Sequence, residues 1–216
     1  MTTVLLPLTG VVLLLGGALQ AALQRHAGRS VIRLGSPGAL PNRRAIVTVS
    51  SALSLTLYAA ALIGWQDALI ATDTSLIETA WHVPAVLIAS DFAYYWLHRF
   101  MHVRPIMRHV HGIHHRVRAP TVNDSLYTHG IETAAGNLLL LTVIAVVGPV
   151  SPAAFLIVLA AFSAIHLWAH AGFLLDRRGC GYLDRLALRH HRHHRERDVH
   201  FGVMLPIWDR AFGTRA

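Results

Sequence analysis

Apolar residues fall along this chain in long uncharged runs, not in the short alternations or amphipathic stripes of a soluble fold. Residues 3–23 (TVLLPLTGVVLLLGGALQAAL) carry no charge, and no positive n-region precedes them, so they read as a retained helix and not as a cleaved signal peptide. Residues 45–65 (AIVTVSSALSLTLYAAALIGW) form a second run of spanning length. A third, 81–97 (WHVPAVLIASDFAYYWL), holds Asp91 inside it and aromatics toward its end. Runs 134–150 and 152–169 abut at GPVSP, a strong turn signal, and predict a helical hairpin passing through or deep into a bilayer. The pattern predicts an all-α integral membrane protein: about three transmembrane helices plus a helical hairpin, with a histidine-bearing helical cap. Residues 1–80 are expected to form N-terminal transmembrane helices and loops, and 81–216 the part that carries the chemistry.

Composition agrees, with 54% hydrophobic against 14% charged residues, too apolar for an ordinary soluble domain. The formal charge is +8 and every cation is arginine. Five arginines lie in 24–44, five in 98–133 and nine after 170, whereas 66–80 carries Asp67, Asp73 and Glu78. The positive-inside rule then predicts a cytoplasmic face for all three arginine-bearing segments, and an inner-membrane protein is expected. Topology accounts for the basic balance, and the aromatic interleaving of a nucleic-acid surface is missing, so no nucleic-acid partner is expected. Cys180 is the single cysteine, which excludes an intrachain disulfide and a cysteine metal cluster.

Sixteen histidines are what remains to be explained. His98 and His102 follow the third run, His111, His114 and His115 form HGIHH, His166 and His170 end the hairpin, and His190, His193 and His194 sit in HHRHH. Residues four apart on a helix share a face, so each HxxxH presents two imidazoles to one point. The HxxHH pattern is expected to place its first and fourth positions on one face, with the fifth beside them. One tetrahedral zinc needs only four ligands. Ten donors suit two metals with about five each, and imidazole with open positions favours iron in oxygen chemistry, with zinc the expected substitute on purification. A membrane metal-binding or transport protein is the alternative, but a transporter would place its ligands at mid-span. A zinc hydrolase would need HExxH, which is missing. His26, His82, His109 and His191 lie outside the spaced groups or beside them and read as bystanders, and Trp208, Asp209 and Arg210 read as a structural anchor for the tail.

The run DFAYYWLHRFMH (91–102), then HGIHH (111–115), then HHRHH and a terminal FGVMLPIWDRAFGT (201–214), resembles the fatty acid hydroxylase/sterol desaturase superfamily. The resemblance implies an integral-membrane, non-haem di-iron oxygenase with the ten histidines as ligands, two iron ions as cofactor and O₂ as co-substrate. It also implies a C–H bond of a membrane lipid as target and a ferredoxin- or cytochrome-like electron donor. No nucleotide or flavin motif is visible, so the reductant is expected to be external. YTHGIE (127–132) resembles the segment in which that family pairs a histidine with a glutamate, which marks His129 and Glu132 as auxiliary ligands or supports. The family commonly has asparagine where His200 stands here, leaving His200 an added ligand or a cap. Asp91, a carboxylate inside a span, must face protein or water and bond a polar partner.

Overall fold

The computed structural model describes residues 2–29, 32–34, 39–176, 178 and 181–216; Cys180 lies outside them. Among the described residues the fold is helical and no strand forms; two isolated bridges, Arg33 to Phe173 and Ile70 to Val150, tie loops together. In order come α1 (Thr2–Arg29), α2 (Arg43–Gly64), the single turn α3 (Gln66–Leu69), α4 (Leu76–Met101) and α5 (Arg104–Ile106). A π-helical turn (Met107–His111) and two 3₁₀ turns (His114–Arg116, Val122–Asp124) follow, then α6 (Gly130–Val147), α7 (Pro152–Ala169), α8 (Tyr182–Glu196) and α9 (Ile207–Ala211).

Local sequence sets the helix ends. Ser75 opens α4 with a capping box, accepting from Glu78 N at 3.1 Å while Glu78 Oε2 accepts from Ser75 N at 2.7 Å. Ser151 caps α7 by accepting from Ala154 N, with Pro152 at the first helical position. Gly148 stops α6 at φ 123°, a conformation that side-chain-bearing residues rarely adopt. The hairpin predicted at GPVSP is therefore α6–α7.

Among the described residues three helices, α2, α6 and α7, are each long and apolar enough to cross a membrane. The expected third run lies within α4, a 26-residue helix that also carries Glu78, His82, Asp91, His98 and Arg99. These polar positions are tolerable because α4 packs against both α6 and α7, with His82, Asp91 and His98 turned inward and buried. Lipid-facing character falls instead on exposed side chains such as Leu14, Ile63, Leu76 and Val146.

Tyr58 and Leu62 of α2, Val86 of α4, Leu140 and Ile144 of α6, and Phe155 and Leu159 of α7 share one core. Residues 1–80 thus pack into the same interior as residues 81–216. A polar seam joins α2 to the start of α6: Thr133 Oγ1 donates to Ser50 Oγ at 3.2 Å, and Asn137 Nδ2 to Ser54 Oγ at 2.9 Å. Such interhelical bonds contribute about 0.6 kcal/mol each in a membrane. A second cluster, with Leu23, Leu167, Phe173 and Ala187, docks α8 beneath α7 and α1.

Candidate metal centre

Nine histidines gather in two groups at one end of this bundle. His98, His102, His111, His115 and His193 form one, and His114, His170, His190 and His194 the other; in each, one ring nitrogen per residue lies within 4.8 Å of all the rest. The division corrects the expected use of HxxHH. The first and fifth positions share a group, and the fourth crosses to the other. Successive helical residues are turned by about 100°, so His193 and His194 at the end of α8 diverge and serve different groups. The two HxxHH motifs do so reciprocally: His111 and His115 join His193, while His190 and His194 join His114.

Between His111 and His115 the backbone departs from an α-helix. Gly112 N donates to Met107 O, five residues back, at 2.8 Å, and a Cβ at Gly112 would collide with that carbonyl. A second glycine shapes the other group: Gly172 turns the chain after His170 with φ 71°, and a Cβ there would lie 2.7 Å from Pro120 O.

The far ring nitrogens are held by backbone. Nδ1 of His98 lies 2.8 Å from Phe201 O, of His114 3.2 Å from Tyr127 O and of His170 2.9 Å from His166 O. Nδ1 of His193 and of His194 lie 2.7 Å from Val199 O and Val117 O. A carbonyl only accepts, so each Nδ1 carries the hydrogen, and each neutral ring turns the Nε2 lone pair toward the group's centre. His111 Nδ1 lies 2.9 Å from the buried Glu132 Oε1, out of hydrogen-bond alignment but close enough to orient the ring.

Burial pushes the His114, His190, His193 and His194 imidazoles well below their ordinary value, and neighbouring rings add to the effect. It also lowers His102 and His170 to about 4. These are neutral rings at physiological pH, the form that ligates metal.

The donor set fits a pair of metal ions. Nε2 atoms approach at 3.2 Å (His114–His170), 2.9 Å (His170–His190), 3.1 Å (His190–His194) and 3.1 Å (His115–His193). Between His114 and His170, whose hydrogens sit on Nδ1, such a contact sets lone pair against lone pair and calls for a shared cation. Two nitrogens about 2.1 Å from one ion are about 3.0 Å apart at a right angle and about 3.4 Å apart at the tetrahedral angle. The observed spacings, 2.9–3.2 Å, are those of nitrogens close enough to share an ion. Buried Nε2 atoms of His102 and His111 have no partner in the chain.

Other candidates lie elsewhere. His166 stands outside both groups, its Nδ1 on Phe162 O at 2.9 Å and its Nε2 buried with no partner in the chain. His129 caps α6, its Nδ1 accepting from Ile131 N at 3.1 Å. Asp91 accepts from Met204 N, Leu205 N and Trp208 Nε1 at 2.8, 3.0 and 2.8 Å, which pins the C-terminal segment to α4. His200 is buried in neither group, at φ 57°, with its N–H on Thr214 O at 2.9 Å. Sequence reading missed the carbonyls of Val117, Tyr127, Val199 and Phe201, because a backbone acceptor has no residue signature. It assigned Asp209 only to the tail anchor; the carboxylate accepts from Phe201 N and Gly202 N at 2.8 and 3.1 Å and so sets the loop that holds His98.

Spanning-length helices capped by two adjacent, buried, neutral imidazole groups define a helical membrane protein with a candidate dinuclear metal centre. Residues 83–214 match the family model described as fatty acid hydroxylase, and the chain belongs to that family. It is 28% identical over 146 residues to methylsterol monooxygenase 1 of Rattus norvegicus, covering 65% of this chain and 44% of the relative. It is 28% identical over 134 residues to a Delta(7)-sterol 5(6)-desaturase of Gibberella zeae, covering 61% and 36%. Identity to alkylglycerol monooxygenase of Danio rerio is 27% over 146 residues, covering 64% and 31%. The chain thus matches less than half the length of these curated relatives. No solved structure matches it.

Proposed function

We propose that the chain is a membrane-bound, O₂-dependent oxidoreductase that hydroxylates or desaturates a C–H bond of a membrane lipid at a non-haem di-iron centre, with residues 81–216 as its catalytic part. The observation that carries this reading is the pair of adjacent buried imidazole groups with their lone pairs converging. Family membership and relatives named as sterol and alkylglycerol oxygenases and a desaturase support it.

His98, His102, His111, His115 and His193 would hold one iron, and His114, His170, His190 and His194 the other. Bound iron would supply the O₂ activation that protein side chains cannot. The chain's own part is to orient the rings through backbone carbonyls and Glu132, and to keep bulk water from a site whose ligands are mostly buried. The hydroxylation balance is R–H + O₂ + 2 e⁻ + 2 H⁺ → R–OH + H₂O, so a one-electron donor of ferredoxin or cytochrome type must act twice. We place the site on the cytoplasmic face of the inner membrane, where the arginines cluster. Reporter fusions at residues 75, 120 and 216 would then read outside, inside, inside.

The deciding experiment combines metal analysis of the purified full chain with oxygen uptake on adding lipid and a reduced donor. Two irons per chain with lipid-dependent uptake are expected. An active preparation with one metal per chain would reject the dinuclear reading, and metal binding without any uptake would favour a metal-binding or transport protein. Lipidomics of a deletion strain would name the substrate.

A further inference from the structure

Of the nine histidines in the two groups, His102 alone is partly exposed, and the other eight are buried. Its Nε2 is buried and without a partner, yet the residue reaches the surface, where the charges of Asp198 and Arg197 lie close enough to act on it. Arg197 belongs to the loop that leaves α8, in which two non-glycine residues have positive φ, Arg197 at 69° and His200 at 57°. Such backbone strain persists only where the surrounding structure enforces it. Here the loop sets Val199 O 2.7 Å from His193 Nδ1, so one short segment holds the group of five on its inner side and meets solvent on its outer side. Electron tunnelling weakens steeply with distance, and electrons therefore enter a buried centre where a ligand comes nearest the surface.

That outer side is cationic. Arg104, Arg116, Arg192, Arg195 and Arg197 are exposed, each close in sequence to a histidine of the two groups. Glu196 takes Arg192 at 2.7 Å, whereas among the described residues the other four have no carboxylate within salt-bridge reach. The surface is also built for water and not for lipid. Between Tyr182 and Ile207 no large apolar side chain is exposed among the described residues, while the outward side of α4 exposes Phe92, Trp96 and Phe100. A wetted cationic face attracts an acidic soluble protein at long range and orients it on arrival.

We propose that this arginine face, centred on Arg195 and Arg197, is the docking surface for an acidic, soluble one-electron carrier protein, and that electrons enter the centre at the His102 edge. The inference rests on the oxygenase reading above, whose balance calls for two electrons. In each encounter the reduced carrier gives up one electron, the loaded centre gains it, and the carrier leaves oxidised with no bond made or broken. Two encounters complete the balance, and the two protons come from water.

The test uses the full, iron-loaded chain in phosphatidylcholine nanodiscs, with an acidic plant-type [2Fe–2S] ferredoxin as probe and a basic cytochrome c as its opposite in charge. The ferredoxin is expected to bind, more weakly as salt is raised, and the cytochrome c is not. Arg195→Glu with Arg197→Glu should weaken ferredoxin binding by about tenfold or more at unchanged metal content. Arg44→Glu, at an exposed arginine opening α2, should leave it unchanged. The chain has no lysine, so Arg195→Lys keeps the charge and adds a unique side-chain amine. Carbodiimide should condense that amine with a ferredoxin carboxylate to an amide, with loss of water, and Arg44→Lys should give no such product. The cross-link decides even if the double reversal fails to fold. Absence of ferredoxin binding, equal weakening by Arg44→Glu, or equal cross-linking at the two lysines overturns the proposal. So does a double reversal that spares ferredoxin binding and instead weakens capture of phosphatidylglycerol vesicles, which would make the face a headgroup-binding surface. Ferredoxin held at this face without lipid-dependent oxygen uptake would sink the oxygenase reading and leave the docking surface standing. Uptake driven by a chemical reductant in a chain that ignores ferredoxin would do the reverse.

Discussion

His115 and His193 stand 78 positions apart in sequence and bring their Nε2 atoms to 3.1 Å. His194, the next residue along α8, faces His190 at 3.1 Å instead. One helix end therefore contributes to both histidine groups, and neighbouring residues in sequence are not neighbours in the candidate centre.

The crossing predicts which ligand losses act as a unit. His115→Ala and His193→Ala empty the same group, so the double variant should lose little more metal than either single one, leaving about one ion per chain. His193→Ala with His194→Ala should instead drain both groups. Each single change should lower lipid oxidation by more than about 100-fold, since a lost ligand exceeds the usual 10–100-fold effect of its supporting partners. Metal content by mass spectrometry checks the pattern; one ion lost from each double variant alike would break the assignment.

Glu132 and His129 were a single unit in the sequence reading, and the fold separates their roles. Glu132 lies 2.9 Å from His111 Nδ1, so Glu132→Gln should weaken metal binding or activity by about 10–100-fold. His129 only caps α6, so His129→Ala should cost about 0.5–2 kcal/mol of stability and leave metal content alone. His129→Asn should restore the thermal midpoint. Equal metal loss in both variants would return His129 to the centre.

Asp91 ties the chain's end to α4. An asparagine there keeps one acceptor and turns an N–H toward backbone donors, while hydrogen bonds to a charged group contribute about 1.5–3 kcal/mol each. Asp91→Asn should lower the thermal midpoint sharply and shorten activity half-life, and Trp208→Phe, which removes one of the three bonds, should do so less. Metal content measured in the cold should persist in Trp208→Phe. Loss of metal there without loss of stability would mean that the tail contacts the site directly.

The residues of the centre were legible because spacing and chemistry coincide: imidazoles three and four apart at helix ends have few other uses. Nine of the ten expected histidines meet in two groups, and the GPVSP turn, the helical class and the apolar runs at 45–65, 134–150 and 152–169 also read directly. The partition within HxxHH was not legible. It depends on a π-turn at Met107–His111 and on where α8 ends, features of backbone winding that residue identity does not encode. The tenth, His166, lies outside both groups with its Nε2 buried and unpartnered.

Protonation supplies the last prediction, for metal-free protein. Burial holds His102 and His170 at about 4, and His114, His190, His193 and His194 well below their ordinary value. An unfolded histidine titrates near about 6.5. As pH falls below that value the unfolded chain takes up protons that the folded chain refuses, so stability is complete above about 6.5 and declines toward and below 4. Each such histidine contributes a slope of up to about 1.4 kcal/mol per pH unit. Thermal midpoints of the metal-free chain in detergent should be flat from pH 8 to 7 and fall steeply from 6.5 to 5. Bound metal competes with the same protons, so loading should move the fall to lower pH. A metal-free midpoint that holds or rises on acidification would mean that these rings are charged in the folded state, and neither group could then be a metal site as described.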